Sequence, residues 1–168
     1  MKAIVSNRAG GPQTLQMREV RCPRPRAGQV LVRVSAIGVN FPDALIIDDK
    51  YQERPQRPFS PGSEISGTIE SVGDDVTDFS PGDRVLAITV WGGMAEYVAV
   101  DAWRCAAIPD SMPFDEAAAF LLTFGTAYHA LFDRAGLGPG ETLLVLGATG
   151  GVGVAAMALG KSVGAHVV

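Results

Sequence analysis

The segment LGATGGVG, Leu146 to Gly153, places four glycines in eight residues between two apolar runs. Gly147, Gly150 and Gly153 are spaced GxxGxxG, a relative of the GxGxxG fingerprint of dinucleotide-binding folds. Alone this is a weak signal in a chain with 20 glycines, and its surroundings strengthen it. The preceding ETLLVLGA reads as a buried strand of about four to six residues. Val152, Ala155, Ala156, Leu159 and Val163 then recur at i, i+3, i+4, i+7 and i+11, one face of a helix. GAHVV begins a second strand, completing the order strand–turn–helix–strand of a βαβ unit. A pyrophosphate held there must approach the backbone closely. A Cβ would obstruct it, while the free N–H groups and the positive end of the helix attract it. The competing reading is a helix packed tightly on a strand through small residues, with no ligand. The acidic residue that reads the adenosine ribose lies about 20 residues beyond the glycines in such units, past Val168, so the choice between NAD and NADP is not written in these residues.

Working back toward the N-terminus, the pattern changes from helical to extended. Short β segments are expected at Ala3–Val5, Leu15–Val20, Val30–Val39, Ile65–Val72, Arg84–Val90 and Ala95–Val100. In VLVRVSAIGV, Val30, Val32, Val34 and Ala36 alternate with Leu31, Arg33, Ser35 and Ile37, so one face is apolar throughout. Turn signals separate the strands at GGP (Gly10–Pro12), RAGQ (Arg26–Gln29), GDD (Gly73–Asp75) and SPGD (Ser80–Asp83). Strands this frequent and this short predict a barrel or sandwich. Phe41–Ile47 reads as a short helix, in which Pro42 is tolerated because an early helical N–H has no intrahelical partner. After Pro113, DEAAAFLLTFGTAYHALFDRAGL predicts one helix through Ala117, Phe120, Leu121 and Phe124 and a second from Thr126 to Arg134, stopped by Gly136 and Gly138. The fold class is therefore α+β.

Composition narrows the function. The 168 residues are 47% apolar and 19% charged, the balance of a folded globular protein. The net charge of −4 is scattered, without the Lys/Arg block that tracks a phosphate backbone, which argues against a nucleic-acid partner. The densest basic patch, RCPRPR (Arg21–Arg26), is interrupted by prolines and reads as a solvated loop. Cys22 and Cys105 form no CxxC and no disulfide framework, as expected of reduced thiols in the cytoplasm. The uncharged run Thr142–Gly160 approaches the length that spans a bilayer, but five glycines and the βαβ pattern favour a strand and helix lying on a sheet. MKAIVSNRAGG lacks the apolar core of a signal peptide.

The motifs GQVLVRVSAIGVNFPD (Gly28–Asp43), PGSEISGTIESVGDDVTDFSPGDRV (Pro61–Val85), GGMAEYVAV (Gly92–Val100), EAAAFLLTFGTAYHAL (Glu116–Leu131) and GETLLVLGATGGVGVAAMALGKSVGA (Gly140–Ala165) stand in one order. In that order the chain resembles the N-terminal half of the zinc-free quinone oxidoreductase (zeta-crystallin-like) branch of the medium-chain dehydrogenase/reductase family. The resemblance implies a GroES-like twisted β-barrel domain over residues 1–124, followed over 125–168 by the first βαβ part of a truncated Rossmann dinucleotide-binding domain. It also implies a parent protein of about twice this length, a homodimer, with the fragment inactive alone.

The implied activity is NAD(P)H-dependent transfer of hydride to a quinone, with NADPH as cofactor and NADH left open. A 2-alkenal or enoyl-thioester reductase would share every motif, and a non-catalytic crystallin-like or nucleotide-binding protein is the alternative outside enzymes. Zinc-dependent relatives carry a Cys after the first long strand and a His–Glu pair at the later glycine motif. Here Asn40, Ser63 and Glu64 stand there, so no metal is expected. The resemblance implies that Asn40 sits at the nicotinamide and its ribose, with helix capping as its other reading. It implies that Thr126 contacts the nicotinamide, with a helix N-cap as the alternative. Tyr51 lines the substrate cleft, as a wall or as a proton donor, and Gly150, Gly151, Val152 and Gly153 form the pyrophosphate loop. His129, His166, Asp48–Asp49 and Asp74–Asp75 lack partners for catalysis and read as surface or structural groups.

Overall fold

The computed structural model describes residues 1–168 and separates into two compact units, Met1–Ala119 and Phe120–Val168. The first unit is built on a five-stranded antiparallel sheet. In chain order its strands are β3 (Gln29–Gly38), β4 (Glu64–Val72), β5 (Arg84–Ile88), β6 (Tyr97–Asp101) and β7 (Cys105–Ala107), arranged β6-β3-β4-β5-β7. A ribbon of β1 (Lys2–Val5) and β2 (Gln16–Glu19) joins it through a bridge from Ala3 to Ala95. The alternation read in VLVRVSAIGV is present: Val30 and Val32 are fully buried, Arg33 and Ser35 exposed. With Ile65, Ile69, Val85, Ala87, Val98 and Val100 they form the central core, each such side chain contributing roughly 1.5–3 kcal/mol of burial. Strand β7 has no counterpart among the expected strands. Its three residues CAA carry too little pattern to be read, and pairing with β5 at Val85–Ala87 supplies the ladder.

Helix α1 (Phe41–Ile47) coincides with the expected segment and buries Ile46 and Ile47 against Phe59, Leu15 and Tyr51. Helix α2 (Phe114–Ala118) closes the first unit.

In the second unit the expected helix boundary is displaced. Helix α3 runs Leu121–Tyr128 and continues as a wider π-type turn over His129–Arg134, where the Ala135 N–H reaches the Ala130 carbonyl. The break falls at Ala119–Phe120, where the Ala119 N–H turns back to Glu116 and Ala117. Gly125 lies inside the helix because a solitary glycine costs only about 1 kcal/mol there. Gly136, at φ +64, ends the run as expected.

The strand read in ETLLVLGA is reduced to β8 (Thr142–Leu143), parallel to β9 (His166–Val167), with further single bonds from the Val145 N–H to Val168 and from the His166 N–H to Glu141. Its expected burial on both faces is not observed: Leu144 is 66% and Leu146 86% exposed. One neighbouring strand and one helix cover too little of it. Helix α4 (Gly151–Ser162) likewise presents a different face from the one expected, since Val152 is 45% exposed while Ala155 and Gly160 are buried. No helix is long and apolar enough to cross a membrane.

Candidate functional site

Two groups of residues carry the candidate chemistry, one in each unit. In the first unit the site begins where β3 ends. Asn40 is the extended residue (φ −122°, ψ 159°) that opens α1. Its backbone N–H donates to Asp43 Oδ2 at 2.8 Å, and its carbonyl accepts the Asp43 N–H at 3.0 Å, which satisfies the first turn from within. The side-chain Nδ2 donates in another direction, to Glu64 Oε2 at 3.1 Å. Glu64 is fully buried at the start of β4, opposite Gly38 in the β3–β4 ladder. That glycine makes the room: a Cβ on residue 38 would lie 2.3 Å from the Ala118 carbonyl oxygen and 2.8 Å from Glu64 Oε2. Asp43 Oδ1 and Ser63 Oγ are also buried and have no hydrogen-bond partner within the chain, at a cost of about 1–3 kcal/mol each. Sequence reasoning named Asn40 and missed its partners Glu64 and Asp43; the pairing of Gly38 with Glu64 across two strands is a register that one chain segment does not reveal.

Tyr51 stands past the other end of α1, and its ring packs on the Ile46–Ile47–Phe59 cluster. The structure gives no contact between Asn40 and Tyr51. The loop bearing Tyr51 is tied by Arg57, whose guanidinium donates to Asp49 Oδ1 at 2.7 Å, to the Ile47 carbonyl at 2.8 Å and to Ser6 Oγ at 3.3 Å. A groove of about 590 Å³ in this unit is lined by Ala3, Met17, Val34, Ile37, Val39 and Met94 among others, and by neither Asn40 nor Tyr51.

In the second unit, each glycine of LGATGGVG has a distinct environment. Gly147 has φ +76°, a conformation that side chains with a Cβ rarely adopt. A Cβ on Gly153 would lie 2.4 Å from the Gly147 carbonyl oxygen, and one on Gly151 would lie 2.8 Å from Thr123 Cγ2 of α3. These three are required by the turn and its packing. Gly150 differs: its Cβ would meet only the Gly147 oxygen, at an ordinary 3.5 Å. The first bond of the α4 ladder runs from the Val154 N–H to the Gly150 carbonyl, so the amides of Gly151, Val152 and Gly153 precede it, and Gly150, Gly151 and Val152 are exposed. A bare, solvent-facing helix start with an open glycine fits a diphosphate by shape and by dipole. Thr126, expected as an N-cap or a nicotinamide contact, lies within α3 and is exposed. The N-cap reading is thereby corrected, because the helix has already run for a turn before it. His129 pairs with Asp133 at 2.9 Å on the exposed helix surface. No group of three or more His, Cys, Asp or Glu side chains is gathered in a way that could hold a metal ion.

Comparison with known proteins agrees with this architecture. The chain is 38% identical to human quinone oxidoreductase and 40% identical to the mouse protein, over 99% of its own length and 51% of theirs. It therefore spans about half the length of the curated relatives it matches. Among solved structures it superposes on quinone oxidoreductase from Thermus thermophilus, determined also as its complex with NADPH, with a TM-score of 0.87 and 39% identity, covering 99% of this chain and 52% of that one. Human synaptic vesicle membrane protein VAT-1 homolog-like protein gives a TM-score of 0.95 at 38% identity, over 99% and 54% of the two chains. The sequence pattern of the alcohol dehydrogenase GroES-like domain matches residues 26–110, half of the chain and all of its five-stranded sheet, and the protein thus belongs to that family, within the medium-chain dehydrogenases/reductases.

Proposed function

We propose that this chain carries the substrate-domain residues and the pyrophosphate loop of an NAD(P)H-dependent oxidoreductase that passes hydride to a quinone without zinc. The observation that supports it most is Gly150. The chain's own packing accounts for Gly147, Gly151 and Gly153, whereas a Cβ at 150 would meet only ordinary contact; a ligand approaching that helix start from solvent would account for the glycine there. The relative solved with NADPH makes that dinucleotide the first choice, ahead of NADH.

When bound, the reduced nicotinamide supplies the hydride. The amides of Gly151, Val152 and Gly153 hold the diphosphate. Asn40 binds the nicotinamide and its ribose through an amide that both donates and accepts. The exposed Thr126 hydroxyl is a second contact to the nicotinamide, and Tyr51 walls the substrate cleft. Residues up to about 124 serve as the substrate domain and the rest begin the dinucleotide-binding domain; the chain itself divides between Ala119 and Phe120, ahead of α3, which a boundary at 124 would cut. At the positions where zinc-dependent relatives carry a Cys and a His–Glu pair, Asn40, Ser63 and Glu64 offer a single carboxylate and no soft or imidazole donor. An acceptor that is already electron-poor, a quinone, needs no Lewis acid. The parent protein is a cytoplasmic homodimer that engages neither nucleic acid nor membrane.

The test is NADPH oxidation by the whole protein across a panel of quinones, 2-alkenals and enoyl thioesters, before and after treatment with a strong chelator. Quinone turnover unaffected by the chelator is the expected result. Turnover of the alkenals alone would move the assignment to that reductase class, and no turnover with any acceptor would remove the enzymatic reading.

A further inference from the structure

We infer that Glu64 is the positioning residue of Asn40: its buried carboxylate selects one of the two orientations of the Asn40 amide and holds it for the dinucleotide. The inference rests on the role proposed for Asn40. Glu64 Oε2 acts as an acceptor, so it takes the N–H edge of the amide and not the oxygen edge. At 3.1 Å, Nδ2 to Oε2, this selection is made between the residue that opens α1 and the first residue of β4. Two neighbours and burial make it rigid. Gly38, opposite Glu64 in the ladder, leaves the slot that the carboxylate fills. Asp43 Oδ2 binds the Asn40 backbone N–H at 2.8 Å, which fixes the residue's main chain while Glu64 fixes its side chain. Glu64 and Asp43 are both buried, which limits access of water to their side of either bond. A side chain held in one rotamer and one flip state meets its ligand without the cost of ordering it.

The experiment uses the two asparagines of the chain, Asn40 and Asn7, the second being exposed and serving as the internal reference. Hydrogen exchange of the side-chain amides is followed by NMR in the wild type, E64Q and E64L, and NADPH affinity is measured by calorimetry on the same proteins. The Asn40 Nδ2 protons are expected to exchange about tenfold more slowly than those of Asn7, the effect of one hydrogen bond. E64Q, whose amide oxygen still accepts, should keep both the protection and the affinity. E64L should lose the protection and weaken NADPH about tenfold. Wild-type Asn40 protons exchanging as fast as those of Asn7 would overturn the inference without any variant, as would E64L binding NADPH like the wild type. If the wild type binds no NADPH, the functional proposal fails, while the exchange series still decides whether Glu64 orients Asn40.

Discussion

At the scale of single residues, the glycines of LGATGGVG separate into those the fold needs and one it does not. G153A drives a Cβ into backbone atoms that have no rotamer to move, and a loss of about 1–3 kcal/mol is expected in denaturant unfolding. G150A should change stability by less than about 1 kcal/mol and act on cofactor affinity alone. Equal destabilisation by the two would contradict the division of roles. The cysteines provide a second residue-scale check. Burial, with the Asp101 charge adding to it, pushes the Cys105 thiol up to about 12, whereas Cys22 is exposed. A folded-state value raised above the ordinary one means that the protonated thiol is favoured by folding. Its contribution is present below about pH 9 and is lost as pH rises toward 12. Alkylation with iodoacetamide at mildly alkaline pH should therefore modify Cys22 and spare Cys105 until the chain is unfolded, which peptide mass mapping would read directly.

At the scale of elements, the five-stranded sheet owes its stability to one apolar face and its site to one register. Ile65 is fully buried between Val32 and its neighbours in the central core, and I65A should cost about 2–5 kcal/mol in chemical unfolding. One residue away in β4, Glu64 turns to the polar cluster at Asn40, so a single strand alternates between core and site with the period of a strand. The loop after α1 depends on a different device. Arg57 bonds to three groups in two segments, Ile47 and Asp49 at the end of α1 and Ser6 after β1, and R57A should release that loop with a loss of about 1.5–3 kcal/mol, seen as faster amide exchange over residues 48–57 with the sheet unaffected. If exchange in the sheet rose equally, Arg57 would be a support of the whole unit and not of the loop that carries Tyr51.

At the scale of the whole molecule, the two units differ in how much they bury. Most of the buried apolar side chains, from Ala3 to Ala118, lie in the first unit, and only Ala127, Leu131 and Ala155 lie in Phe120–Val168. A unit of about 50 residues with so small a core is marginal, and the two units should not unfold together. Trp91 and Trp103 both belong to the first unit, while α3 and α4 belong to the second. On heating, far-ultraviolet helical signal should accordingly fall before tryptophan fluorescence changes. Coincident transitions would mean that the second unit draws its stability from elsewhere.

How much could be read in advance follows from the range of each interaction. Strand alternation in β3, the helix at Phe41–Ile47 with its early proline, and the turn–helix–strand order after Gly147 are local, set by propensity and period within a few residues. The sequence alone therefore determined the fold class, most of the order of elements, β7 excepted, and the places of Asn40 and the glycine turn along the chain. The break between α2 and α3, the exposed Leu144 and Leu146, and the packing of α4 through Gly151 and Gly160 were decided by which surfaces meet. The tertiary structure alone decided that Asn40 answers to Glu64, because a cross-strand register and the space left by a glycine arise only when two distant segments pair.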